Sequence, residues 1–285
     1  ALTGNFYLNN LTKISVKNCD GPIYIRNFFA DAGTTRPHAI SIVNSDVVLE
    51  NCGAARGQET GFLFNNSKAV LSRSAAAYRN YKLTSTTTRA DELGVGFHLI
   101  NSDVTLSSVT TESGLGDLLA SGQDFAFIAS RNTVGIKLEN SKLSGGYRRT
   151  NANSALAGGL LATELNTSAG MQLYNSKVDV QGLLDVYGNY RGIEAYNSNM
   201  KFENLCVEVH EDVGLVADNS VFTYDSVQAP GQVDRQAVEF KTNAQDIVLR
   251  SASRFGFSRK NSIPQLYGNT RLGNSHGITE WGGGS

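Results

Sequence analysis

The chain has 285 residues, a formal net charge of -1, 18% charged and 40% hydrophobic residues. This is the composition of a globular protein, long enough for one large repeat domain or two ordinary ones. The near-neutral balance argues against a nucleic-acid face, which needs a clustered excess of Lys and Arg, and no apolar run is long enough for a transmembrane span.

The start ALTGNFYLNN has neither Met nor a signal peptide, and the end WGGGS reads as a tail added to a trimmed fragment. Gly is abundant at 29 and Pro scarce at 4, which suits many tight turns. Cys19, Cys52 and Cys206 show no metal-ligand spacing and are expected as reduced thiols, Cys19 as a small turn residue.

Residues 1–38 form an N-terminal cap and a degenerate first copy of a repeat, with Ile14 and Val16 before Asn18-Cys19 and an inserted Gly-Pro after it. The exposed end of a stack is expected to be atypical. Clear copies follow over 39–250: AISIVNSDVVL, GFLFNNSKAVL, GVGFHLINSDVTL, GIKLENSKLSG, GMQLYNSKVDV, GIEAYNSNMKF and GLVADNSVFTY. The residues four and two places before each Asn are apolar, as in Ile136/Leu138 and Ile193/Ala195. Three and five places after it come pairs such as Val104/Leu106 and Met200/Phe202. Gly stands five places before every Asn but the first, where Ala39 replaces it.

The repeat Asn residues are Asn44, Asn66, Asn101, Asn140, Asn175, Asn197 and Asn219, at spacings of 22, 35, 39, 35, 22 and 22. The core period is therefore 22, with enlarged coils between about 72 and 170. In a compact coil the alternating stretches Asn199–Phe202, Cys206–Val209 and Leu215–Ala217 predict three short strands. Strands repeating in register predict an all-β parallel β-helix, with aliphatic ladders inside and an Asn ladder at a left-handed turn. Gly five places earlier is expected at a second tight corner.

The extra length falls in Ser72–Gly94, Ser107–Val134 and Gly146–Gly170, expected to emerge at one register and form a lobe on one side of the rod. Ala75–Tyr78 and Ala155–Leu165 are each expected to hold a short helix. Ala237–Leu249 reads as an eighth coil with one extra residue at its turn, and residues 251–285 as a C-terminal cap or partner-packing tail.

The GIxLxNSxVxV phrase resembles the right-handed parallel β-helix repeat family, which includes pectate lyases, polysaccharide hydrolases and epimerases, bacterial adhesins and phage tailspikes. The resemblance covers about residues 14–250 and is specific for fold but not for function, because one scaffold carries many activities. Long polar insertions and scarce Cys look most like a bacteriophage tailspike, tail-fibre or baseplate protein. That resemblance implies a homotrimer at a virion tail that binds, and in some members cleaves, host surface polysaccharide beside other tail proteins. A secreted or bacterial-surface location is the alternative.

No P-loop, dinucleotide fingerprint, Gly-x-Ser-x-Gly elbow or His-rich metal spacing appears, so neither cofactor nor metal is expected. His38, His98, His210 and His276 are scattered, and alternation turns His98 and His210 outward as solvated side chains. Glycoside hydrolysis needs two carboxylates on the order of 5–10 Å apart, a gap that neighbouring coils can supply. The candidates are Asp91, Glu92, Glu112, Asp117, Asp124 and Glu164, with Asp185, Glu208, Glu211 and Asp212 in the compact coils beyond. For any one of them, a solvated surface charge is the simpler reading.

Sugar binding leaves a different trace, aromatic platforms beside polar and Arg neighbours. Tyr78, Arg79 and Tyr81 have that character, as do Tyr147, Arg148 and Arg149, and Tyr187, Tyr190 and Arg191. The alternative is that these tyrosines pack the insertions onto the rod. Trp281 reads as an anchor. A non-enzymatic virion spike that binds glycan through the insertion lobe is the first expectation, a polysaccharide hydrolase or lyase with a carboxylate pair near that lobe the second, and a purely structural assembly module the third.

Overall fold

The computed structural model describes residues 8–11, 13–33, 36–80, 94–107, 126–146, 160–224, 238–241, 243–258, 265–266, 270–271 and 277–281. Among them are 23 strands and no helix. Each strand lies parallel to its equivalent one coil along. Ala169–Tyr174, for example, runs between Val134–Glu139 and Arg191–Tyr196, with Met171 opposite Ile136 on one side and Ile193 on the other. The sheet winds almost closed around an axis, as a parallel β-helix does.

Period-2 alternation sends one set of side chains to that axis. Ile40, Phe62, Phe97, Ile136, Met171, Ile193, Leu215 and Ile247 form one continuous buried column. Phe62 and Phe97 stack with centroids 4.6 Å apart and planes 12° from parallel, close to the spacing between paired strands. Like residues meet because the register never slips across this column.

The strand edges differ from the expected three short strands. Asn199–Glu208 is one run, as is Lys177–Tyr187, and their pairing shifts register between Val180 and Leu183. Strands also continue past residue 250: Arg254–Ser258 pairs with Val221–Tyr224, and Gly277–Trp281 pairs with Arg254–Ser258. Phe255 is buried and stacks on Phe222. The extra turn residue of that coil sits beyond Leu249, where Ser251–Ser253 replaces the Asn-Ser pair.

The two expected helices are absent where the chain is described. Ala75–Tyr78 belongs to the strand Lys68–Tyr78, and residues 160–164 form the strand Leu160–Glu164; residues 155–159 lie outside the described residues. Ala75 and Ala77 are buried while Ala76 is exposed, so the alternation is that of a strand. Pairing to Cys52–Ala55 on one side and Phe127–Ser130 on the other overrides the helix propensity of alanine.

Three polar ladders clamp the coils. At the Asn-Ser turn, Asn18, Asn44, Asn66, Asn101, Asn140, Asn175, Asn197 and Asn219 all adopt left-handed backbone, φ 47 to 51°. Their amides stack, as in Asn44 Nδ2 to Asn18 Oδ1 at 2.8 Å and Asn219 Nδ2 to Asn197 Oδ1 at 2.8 Å. The next residue makes a buried hydroxyl chain in which each backbone N–H donates to the Oγ of the following coil, from Cys19 through Ser45, Ser67, Ser102, Ser141, Ser176, Ser198 and Ser220 to Ser253. Cys19 thus takes a serine's place at the turn, as expected.

The third ladder lies at another corner and is fully buried. The N–H of Asn80 donates to Asn132 Oδ1, that of Asn132 to Asn166 Oδ1 and that of Asn166 to Asn189 Oδ1, at 2.9 to 3.0 Å. It explains the repeated glycine, which is not at a left-handed corner. A Cβ on Gly135 would stand 2.6 Å from the Gly170 carbonyl oxygen and 2.9 Å from Asn166 Nδ2. Close approach of neighbouring coils, not turn geometry, selects the glycine.

The long segments do not all leave the rod at one register. Residues 81–93 follow Asn80, after the strand Lys68–Tyr78 has ended. Residues 108–125 and 147–159 instead precede the strands Ala126–Ser130 and Leu160–Glu164. Residues 225–237 occupy that second place again, before Val238–Lys241.

Candidate functional site

The strands Lys177–Tyr187 and Asn199–Glu208 turn alternate residues outward, while Leu160–Glu164 runs through buried Leu161, Ala162 and Thr163 to a half-buried Glu164. Leu184 and Val186 are buried, so Asp185 and Tyr187 face out; Leu205 and Val207 are buried, so Cys206 and Glu208 face out. Register then assembles a face. Glu164, Tyr187 and Glu208 lie opposite one another in three successive coils, and Asp185, opposite Ala162 and Cys206, sits diagonal to both glutamates. One coil step is about 4.8 Å, which sets Glu164 and Glu208 roughly 10 Å apart with Tyr187 between them. Asp185 is within about 7–8 Å of each at the backbone.

Burial pushes the Asp185 carboxyl above the usual aspartate range, and the charges of Glu164 and Glu208 push it further. The Cys206 thiol lies 3.0 Å from Glu208 Oε1, where it donates to the carboxylate. Among the described residues, no three His, Cys, Asp or Glu side chains come together to hold a metal ion.

The corner after these strands carries an apolar patch. Leu165 is 45%, Tyr187 43%, Tyr190 44% and Val209 40% exposed, four of the six exposed large hydrophobic side chains among the described residues. Hydrogen bonds from Leu165 N–H to the Tyr187 carbonyl and from Gly188 N–H to the Glu208 carbonyl put Leu165, Gly188 and Val209 in consecutive coils. Gly188 is left-handed, φ 62°, and the Leu165 side chain lies over its missing Cβ.

Tyr78 occupies the same column as Tyr187, three coils earlier, because Tyr78 pairs with Ser130 and Ser130 with Glu164. Arg79 Cζ lies 4.9 Å from the Tyr78 ring centroid. The structure therefore gathers Tyr78, Arg79, Glu164, Tyr187 and Tyr190 on one side of the rod.

Arg191, expected as a sugar ligand, is engaged within the rod. Its Nη1 donates to Glu194 Oε1 at 2.6 Å and its Nε to Asp212 Oδ2 at 2.7 Å, which together hold the guanidinium firmly charged. It serves the buried Glu194, which also accepts from Gln172 Nε2. A cavity of about 130 Å³ opens beside it, between Tyr196, Asp212 and Gln245 and over Val213, Val216 and Val248. Asp212 and the exposed Glu211 lie in the turn before Val213, not in a strand.

Neither internal histidine is solvated as alternation implied. His98 is half-buried with Nε2 3.3 Å from Glu139 Oε1, and burial lowers its pKa despite that carboxylate. His210 is 2% exposed because it belongs to the buried Asn ladder, not to a strand face.

Asp91, Glu92, Glu112, Asp117 and Asp124 lie outside the described residues, as do Tyr81, Tyr147, Arg148 and Arg149. The buried column Asn80, Asn132, Asn166 and Asn189 escaped sequence reading, although for Asn132, Asn166 and Asn189 an Asn three or four residues before the repeat glycine was its trace. No helix among the described residues is long and apolar enough to cross a membrane. In comparisons with known proteins, no family model, curated protein or solved structure matches this chain.

Proposed function

We propose that the chain is a right-handed parallel β-helix with three strands to a coil on the 22-residue period, of the tailspike and tail-fibre kind. In this reading it stands at a virion tail beside other tail proteins, as a homotrimer, and binds host surface polysaccharide along one side of the rod. The observation that carries the glycan-binding reading is the exposed patch of Leu165, Tyr187, Tyr190 and Val209 over three adjacent coils. Tyrosine rings offer flat faces to sugar C–H groups, and Glu164 and Glu208 beside them accept hydroxyl hydrogen bonds. A glycan array with the wild type and a Tyr187→Ala/Tyr190→Ala variant tests it. The wild type is expected to retain a defined glycan and the variant to lose it; no retention, or equal retention by both, overturns the reading.

A second reading, polysaccharide depolymerase, is favoured by one observation, the raised Asp185 carboxyl between Glu164 and Glu208. In this reading Asp185, whose carboxyl is pushed up by burial and by the two glutamates, supplies the general acid, and a glutamate on a neighbouring coil activates water or attacks the sugar. Release of reducing ends that Asp185→Asn abolishes supports this reading; no release by the wild type removes it.

A further inference from the structure

The chain uses left-handed backbone at several corners, Asn27 and Asn51 marking one of them, and fills two of them very differently. At the Asn-Ser turn the left-handed residue is Asn in eight coils, the residue type that tolerates this conformation best after Gly. At the corner beside the candidate face the same conformation is taken by Arg56, Arg79, Arg131, Leu165 and Val209, with φ between 52 and 61°, and by Gly188. Long and β-branched side chains are disfavoured there, and Val is an outright outlier. Strain held coil after coil, where Asn serves an equivalent turn in the same molecule, points to the side chains as what this edge is for.

Three of those side chains are arginines in successive coils, all exposed. Arg56 N–H donates to the Tyr78 carbonyl and Arg79 N–H to the Ser130 carbonyl, so each arginine stands one coil from the next. They are braced. Arg79 and Arg131 lie 4.9 and 5.8 Å from the Tyr78 ring centroid, and Arg56 Nε donates to Asp31 Oδ1 at 2.6 Å. Arg79 and Arg131 are exposed beside that ring.

We propose that this edge binds an anionic polysaccharide laid along the rod axis, with its negative groups set against the guanidiniums of Arg79 and Arg131, which stand one coil apart. The step between coils, about 4.8 Å, is close to the length of one hexose in an extended chain. A guanidinium fork matches a carboxylate or a sulfate equally well. The proposal rests on the glycan-binding reading and adds the charge of the ligand and its direction along the rod.

The test measures binding of the full chain to polygalacturonate, dextran sulfate and dextran, with a double variant Arg79→Asn/Arg131→Asn. Asn relaxes the left-handed turn, so the variant is expected to melt at a higher temperature than the wild type while binding polyanion about tenfold or more weakly. A residue that only shapes the corner would not give that opposite pair of changes. Salt-sensitive binding of either polyanion but not of dextran, lost in the double variant, bears the proposal out, and the two polyanions separate carboxylate from sulfate. Dextran bound as well as the polyanions, no binding to any of the three, or polyanion binding unchanged in the variant overturns it. Should the Asn pair not fold, Arg79→Gln/Arg131→Gln carries the binding comparison. Dextran binding, or array retention that depends on Tyr187 and Tyr190, would leave the glycan reading intact while the charge reading fails.

Discussion

The backbone N–H of Asn189 donates to Nδ1 of His210 across 3.2 Å, which takes a histidine into a column otherwise built of asparagines. The imidazole copies the amide: Nε2 lies 3.1 Å from the Val186 carbonyl, as Asn189 Nδ2 lies 3.0 Å from that of Thr163. A neutral ring with its proton on Nε2 meets both bonds. Burial holds the His210 pKa below its ordinary value, against the pull of the Asn189 and Val186 carbonyls.

That depression sets the pH dependence. The unfolded chain takes up the His210 proton near the ordinary value of 6.5, and the folded chain only at lower pH. Between the two the unfolded state binds more protons, so stability is full above about 6.5 and falls as pH drops toward the folded value. His38 and His98, also lowered chiefly by burial, act in the same direction. Urea denaturation at a series of pH values should show this loss, and His210→Asn should flatten it; an unchanged slope in the variant would count against the assignment.

Gly135→Ala is expected to destabilise the rod by roughly 2 kcal/mol, because the added methyl meets the Gly170 carbonyl oxygen and no flexible side chain can yield. The glycine is not left-handed, so the cost is steric and backbone strain does not enter. Chemical denaturation of the variant measures it.

Thr163 supplies an opposite case. Its hydroxyl is fully buried and, among the described residues, has no hydrogen-bond partner. The next two coils carry Val186 and Val207 at this position. Thr163→Val is expected to stabilise by about 1 kcal/mol, read as a higher melting temperature.

Asp185→Asn should also stabilise at neutral pH. With the carboxyl raised by burial and by Glu164 and Glu208, the folded chain binds the extra proton between the ordinary and the raised value. Stability therefore falls as pH rises through that window, and the cost is full above it. The wild type should gain on the variant as pH is lowered from 7 toward 4, and parallel curves would disprove the coupling.

Much of the scaffold was legible because its cause is periodic. Ile136, Met171 and Ile193 announce a shared core column, and Asn140, Asn175 and Asn197 a shared turn, since like must stack on like. The third ladder was harder to see. Asn132, Asn166 and Asn189 vary in distance from the Asn-Ser pair, and His210 breaks the residue type while keeping the hydrogen bonds. Ala75–Tyr78 misled because local propensity was weighed without the neighbouring coils that override it. The face was half legible: Tyr78, Arg79, Tyr187 and Tyr190 stand out by composition. Their alignment with Glu164 depends on where the chain between coils begins and ends, and the spacing of repeats does not give that.

The serine chain runs unbroken from Cys19 to Ser253 although the sequence between successive members varies from 22 to 39 residues. Length and register are thus independent variables in this molecule. New chain can be spliced between coils, or exchanged for another segment, without rewriting the contacts that hold the rod together. A scaffold of that kind can change the segments it carries while its architecture stays fixed.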